Sequence, residues 1–194
     1  MWYYLLMLYT GKGDAGTTKF FDTEKGKRVS KNSCNTEALG ALDEVNSFLG
    51  LCKAKAVSEK KSVPGSGRTL FELLEEAQEN LFIAQAEAAG AKDKFLGEEK
   101  TKRMEDSINA IEKTLPPITG FSIAGGTELS SLLDVARTLV RKTERTVVSL
   151  HESGEREIHE STRAYLNRLS SLLFAFARLA NHWAGVKEKN PSYK

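Results

Sequence analysis

The stretch ELSSLLDVARTLVRKTERTVVSLH, residues 128–151, decides the fold. Leu132, Ala136, Leu139, Val140, Thr143, Val147 and Leu150 recur at steps of three and four, the spacing that lines one face of an α-helix. Arg137, Arg141 and Arg145 recur at i, i+4 and i+8, with Lys142 beside them. Their stripe is centred nearly opposite the apolar one, so the arginines cannot point into the core of their own bundle. The ordinary fate of such a run is a solvated face. Against that, three stacked arginines repel one another. A triphosphate, or a carboxylate of a neighbouring subunit, would relieve the repulsion, and the planar guanidinium fork suits bidentate contact with either.

Working outward, the same period recurs along the chain. Ala38, Leu42, Val45, Leu49 and Cys52 predict a helix from Thr36 to about Val57, capped by Asn35 or Thr36. Leu70, Leu73, Leu74, Ala77, Leu81, Ala84 and Ala88 predict a second over Thr69–Ala89, closed by Gly90. Thr101, Met104, Ile108, Ile111 and Leu115 predict a third over Glu98–Thr114, stopped by Pro116-Pro117. The quoted stretch is the fourth, ended by Gly154. A fifth is expected from about Glu157 to Trp183, with Tyr165, Leu166, Leu169, Leu172, Leu173, Phe176, Ala177 and Ala180 as its core face. Asn167, Ser171 and Arg178 share a polar strip on it. Five amphipathic helices without alternating strands indicate an all-α five-helix bundle.

The whole chain, 194 residues with 40% hydrophobic and 28% charged, has the size and composition of one globular domain. Three parts are expected: residues 1–35 as an N-terminal segment and loop, 36–185 as the bundle, and 186–194 as a flexible tail. A formal net charge of +2 gives no argument for nucleic-acid or membrane binding. The apolar start, Met1–Tyr9, is too short to span a bilayer and reads as an extended segment packed on the domain. Cys34 and Cys52 form no CxxC pair and read as reduced side chains, which fits a cytoplasmic protein. His151, His159 and His182 have no metal-ligand spacing, and no Ser-His-Asp or Cys-His arrangement is visible.

Ahead of the bundle, Tyr9-Thr-Gly-Lys-Gly-Asp-Ala-Gly-Thr-Thr-Lys19 has the glycines that let backbone N–H groups approach phosphate, and lysines and threonines beside them. It is not a P-loop, because Thr17-Thr18 stands where Lys-Ser/Thr is required. By itself it reads first as a flexible turn.

Together the residues resemble a known family. Tyr9–Thr18, Gly40-Ala-Leu-Asp-Glu-Val-Asn46, Gln78–Phe82, Phe121–Gly126, Ala136–Arg145 and Leu166–Ser170 are similar, in order and spacing, to the motifs of PduO-type corrinoid adenosyltransferases. That resemblance implies transfer of the 5′-deoxyadenosyl group of ATP to the cobalt of cob(I)alamin or a related corrinoid, with triphosphate released. It implies Mg²⁺ bound through ATP, with no metal site of protein ligands, and a homotrimer with ATP sites between subunits. A reductase or an adenosylcobalamin-dependent enzyme is the further partner it admits. It implies that Thr10, Gly11, Lys12, Gly13, Thr18, Lys19 and Lys31 wrap the nucleotide, and that Arg141, Lys142, Glu144, Arg145 and Asn167 complete its site. It implies that Asp43 pairs with Arg137 across the subunit interface, and that Phe121 faces the corrinoid and helps to displace its lower axial ligand; with Arg141 these are the catalytic set.

The chain departs from the family pattern at four positions. Asp134 stands in place of the usual His, Lys142 of Arg, Ala124 of Pro and Ser171 of Asp. They leave open a second reading, a divergent ATP-binding relative that acts as a sensor or carrier without efficient transfer.

Overall fold

A computed structural model describes residues 8–193. Two short strands, β1 (Thr17–Thr18) and β2 (Val29–Ser30), precede five helices: α1 (Cys34–Ala56), α2 (Leu70–Ala88), α3 (Glu98–Thr114), α4 (Glu128–Glu152) and α5 (Glu160–Trp183). The all-α bundle is as its apolar periodicity predicts. The expectation for Met1–Met7 lies outside the described residues.

The helices start and stop where local chemistry allows. Ser33, in extended conformation, caps α1 by accepting a hydrogen bond from Thr36 N–H at 3.2 Å. The helix thus begins ahead of the expected caps, Asn35 and Thr36. On α2, Thr69 and Glu72 form a reciprocal capping box. Gly90, at φ +84°, closes that helix with its own N–H on Glu87 C=O and Ala91 N–H on Ala86 C=O. Thr127 caps α4 through Ser130 N–H. His159 caps α5 through Ser161 N–H, so α5 begins three residues after the expected Glu157.

The core centres on α5, which packs against α4 and α3 and touches α2, while α1 packs against α4 and α2. Leu166, Leu169, Leu173 and Phe176 of α5 meet Leu133, Ala136 and Val140 of α4, all at most 1% exposed. Leu133 joins the expected stripe; Leu132 and Leu139 pack at its edge. Burial pushes the Cys52 thiol up to about 11, so it serves as a small apolar group.

The N-terminal segment is tied to the bundle at several points. β1 and β2 pair antiparallel, Thr17 opposite Ser30. Arg28 donates to the Thr17 hydroxyl and carbonyl, both at 2.7 Å. Phe21 N–H donates to Ala89 C=O at 2.9 Å. Asp22 takes a two-pronged ion pair, 2.6 and 3.0 Å, from Arg156 in the α4–α5 connection. At the other end, Arg178 pairs with Glu188 and Ile123 N–H donates to Lys189 C=O, so the segment from residue 186 has specific partners.

Phe176→Ala should lower unfolding free energy by about 3–5 kcal/mol, because a fully buried ring leaves a cavity. Chemical denaturation measures it; a loss below about 1 kcal/mol would contradict the packing. The Asp22 pair carries a pH dependence. The Arg156 guanidinium holds the Asp22 carboxyl below its ordinary value of 3.8. A carboxyl depressed in the folded state stabilises above its unfolded pKa and loses that contribution as pH falls through the folded one. Acidification below pH 3.8 should therefore release residues 20–22, read as accelerated proteolysis there. Asp22→Asn should show that acceleration already at neutral pH.

Candidate active site at the α4–α5 seam

Because α4 commits one face to α1 and α5, its arginine stripe turns outward, as the helical period requires. Arg141 and Arg145 are exposed, and Arg145 donates to Arg141 C=O at 2.9 Å. Asn167, exposed on α5, donates its side-chain amide to the Glu144 carboxylate at 2.7 Å. Arg141, Glu144, Arg145 and Asn167 line a polar groove of about 310 Å³, together with Ser149 and Glu152.

Arg141 also borders a second, larger groove of about 590 Å³, lined by Ile118, Phe121, Arg137, Ser171 and Phe174 among others. Phe121 stands 81% exposed at its mouth, on the α3–α4 connection. One guanidinium thus stands where a groove of charged side chains adjoins one that presents the Ile118, Phe121 and Phe174 side chains. A charged leaving group and a flat apolar reactant fit such a pair of surfaces.

Arg137 is half-buried. Its Nε donates to Asp134 Oδ1 at 3.2 Å, and its guanidinium lies 5.9 Å from the Phe174 ring centroid. The other Asp134 oxygen accepts from Gly125 N–H at 3.3 Å. Asp134 therefore links the Phe121 connection to the arginine stripe. It was not among the expected site residues, although its i, i+3 relation to Arg137 is a readable helical pair. Ser149 and Glu152 give no comparable signal.

The remaining expected residues lie elsewhere in the chain. Lys142 pairs with Glu44 of α1 at 3.4 Å, both half exposed, a surface pair that contributes little to stability. Asp43 is exposed on α1. The loop carrying Thr10, Gly11, Lys12, Gly13, Thr18 and Lys19 sits at the N-terminal end of α1, where the Thr36 hydroxyl donates to Ser30 C=O at 3.1 Å. Gly11 and Gly16 adopt positive φ, +65° and +72°. A Cβ on Gly13 would meet the Lys31 ammonium nitrogen at 3.0 Å, so the glycine admits that cation to the turn. Past this loop, Asn32 shares a pocket with Ser149, which also borders the polar groove. Arg178, expected on a shared polar strip with Asn167, is instead buried. Its guanidinium is spent on Glu188 and Pro116 C=O.

Known proteins resemble this chain along most of its length. The family model described as cobalamin adenosyltransferase matches residues 8–180. The chain is 39% identical over 184 residues to a corrinoid adenosyltransferase of Bacillus subtilis, covering 93% of this chain and 90% of that one. It is 36% identical to the corrinoid adenosyltransferase PduO of Citrobacter freundii, over 91% of this chain but only 50% of that longer protein. Among solved structures, a variant PduO-type ATP:corrinoid adenosyltransferase from Lactobacillus reuteri, complexed with cobalamin and ATP, superposes with a TM-score of 0.84 at 32% identity, over 96% of this chain and 99% of that one. By sequence along nearly its whole length and by fold, the chain belongs to the cobalamin adenosyltransferase family.

Proposed function

We propose that this protein transfers the 5′-deoxyadenosyl group of ATP to the cobalt of a reduced corrinoid. The observation that carries the reading is Arg141, held in common by a groove of charged side chains and one that presents the Phe121 and Phe174 rings. In the transfer, the electron pair on Co(I) forms the Co–C bond to C5′. The C5′–O bond breaks, and its pair leaves with triphosphate. No protein nucleophile is needed. The protein holds the two reactants in line and stabilises charge on the leaving group.

The residue roles follow from chemistry. Arg141 and Arg145 bind the triphosphate, and Asn167 orients Glu144 beside them. Phe121 stacks against the corrinoid and, with Phe174, keeps water from the reacting carbon. Mg²⁺ enters on the triphosphate, whose oxygens suit its hard octahedral preference; Glu144 and Glu152 are the carboxylates that line the groove. When bound, the ion neutralises charge on the leaving group.

The cationic glycine loop, Thr10 to Lys19 with Lys31, completes the nucleotide site. We assign that completion to a neighbouring copy in a homotrimer, because the α4 face that carries Arg141 points out of its own bundle. There Lys142 would exchange Glu44 for phosphate, and Asp43 of a neighbouring copy would share Arg137. Two free cysteines suit a reducing, cytoplasmic setting. Among the described residues, no helix is long and apolar enough to cross a membrane.

Anaerobic incubation with chemically reduced cob(I)alamin, Mg²⁺ and ATP should replace the Co(I) absorption by a light-sensitive Co–C product. Persistence of the Co(I) band alongside measurable ATP binding would favour the sensor or carrier reading. Arg141→Ala should slow adenosylation by roughly 10²-fold or more, as loss of one donor to a developing charge does. Its unfolding free energy should change by less than about 0.5 kcal/mol, since the side chain is exposed. Unfolding of that variant would contradict the outward orientation.

A further inference from the structure

The connection that carries Phe121 has no regular secondary structure between Thr114 and Glu128. An irregular segment of that length holds one shape only if its polar groups are tied down. Asp134 and Ser130 of α4 hold it at Gly125, and its other ties come from the far end of the chain. Arg178, 7% exposed near the end of α5, donates Nη2 to Pro116 C=O at 2.8 Å, where the connection begins. The same guanidinium grips Glu188 with Nε at 2.5 Å and Nη2 at 3.0 Å. One residue further, Lys189 C=O accepts from Ile123 N–H at 2.8 Å. A Cβ on Gly120 would meet the Asn190 side-chain amide at 3.2 Å, so the tail also lies close beside the residue before Phe121.

A second anchor fixes the connection's end. Asn181 of α5 donates to Gly125 C=O at 2.8 Å and accepts from Thr127 N–H at 3.0 Å. Gly126 sits so close, at φ +121°, that a Cβ there would lie 2.3 Å from the Asn181 oxygen. Asn181 also turns the chain toward the tail, since Val186 N–H donates to its carbonyl at 2.9 Å.

Buried charge makes this arrangement consequential. A guanidinium that is nearly fully buried must be paired, and Glu188 is the carboxylate that pairs it. The tail is thus held to the bundle by a partnered charge, and the Phe121 connection is held to the tail by a backbone hydrogen bond. We propose that residues 186–190 form a strap, locked by Arg178 and Glu188, that positions Phe121 for the corrinoid. Arg178 and Glu188 are positioning residues: neither lines the grooves at Arg141 described above. The proposal rests on the adenosyltransferase reading for its catalytic half.

The test varies Glu188, which lies outside the helices, so the bundle should fold in each variant. Glu188→Lys sets a cation against Arg178 and should expel the strap; Glu188→Gln keeps an acceptor and should retain much of it. Three quantities are read. Hydrogen exchange at the Ile123 amide, measured without substrates, should accelerate strongly in Glu188→Lys and less in Glu188→Gln. Corrinoid kcat/KM should fall roughly tenfold or more in Glu188→Lys, as expected when a reacting group is mispositioned. The KM for ATP should stay within about twofold of the unsubstituted enzyme, because the strap does not border the polar groove. Unchanged Ile123 exchange in Glu188→Lys overturns the strap. Accelerated exchange with unaltered corrinoid kinetics overturns its role in positioning. Equal losses for ATP and corrinoid would mean a general structural effect and would also overturn it. Absence of adenosylation in the unsubstituted enzyme would instead refute the functional reading, and the catalytic half of the proposal with it.

Discussion

The rest of the structure depends on the burial of α5 on almost every side. From Leu166 to Ala180 most of its residues are shielded, including Leu169, Leu173, Phe176 and Leu179, each fully buried. A helix shielded on nearly every side must lie in the middle of a bundle, and its neighbours are then fixed. α3 and α4 cover two flanks and α2 touches a third, which leaves a narrow free edge at Asn167, Ser171 and Phe174. α4 has to face α5 with its own stripe, so its arginines come out beside that edge. The candidate site is therefore the seam that remains when α5 has been covered.

Buried polar contacts set the register along the seam. The Thr143 hydroxyl, on the buried face of α4, donates to Ala41 C=O of α1 at 3.0 Å. That one bond fixes how far α4 can slide along α1, and hence where Arg141 stands relative to Asp43 and Glu44. On the other side, Asn80 of α2 donates to the Tyr165 hydroxyl at 3.1 Å, and burial pushes the Tyr165 pKa upward. Glu87 accepts from the Thr162 hydroxyl and from His159 N–H, both at 2.6 Å, and ties α2 to the start of α5. Such groups would be costly if unpaired, so a slipped register is disfavoured.

Helices and core were legible because burial writes a period into the sequence: the Glu98–Thr114 bounds and the Gly90 cap follow from it without knowledge of contacts. The α1 cap was less so, since Ser33, Asn35 and Thr36 are all competent and only backbone conformation chooses. Nor was the start of α5, because His159 is an uncommon cap and Ile158 before it continues the apolar pattern. Within the site, Arg141, Arg145, Glu144 and Asn167 could be grouped by helical spacing and family resemblance. Arg178 could not be placed: a charged residue on a polar strip looks solvated until its partner is known. That partner, Glu188, reaches it only after the chain reverses at Gly185, at φ +70°. Asp134 is legible as a departure from the family pattern, but its two contacts depend on where the Gly125 backbone lies.

Those departures have a common electrostatic consequence. Asp134 gives one oxygen to Arg137 and the other to Gly125 N–H, a double acceptor role that a neutral imidazole, with one acceptor nitrogen, cannot fill. Lys142, lacking the guanidinium fork, pairs with Glu44. Arg137 of the stripe, and Lys142 beside it, thereby have carboxylate partners within the chain. Arg141 and Arg145 are in no ion pair among the described residues, and both border the polar groove. The two guanidiniums left without an ion pair thus share a groove with Asn167, in the company of the Glu144 and Glu152 carboxylates, so a ligand bound there meets both signs of charge.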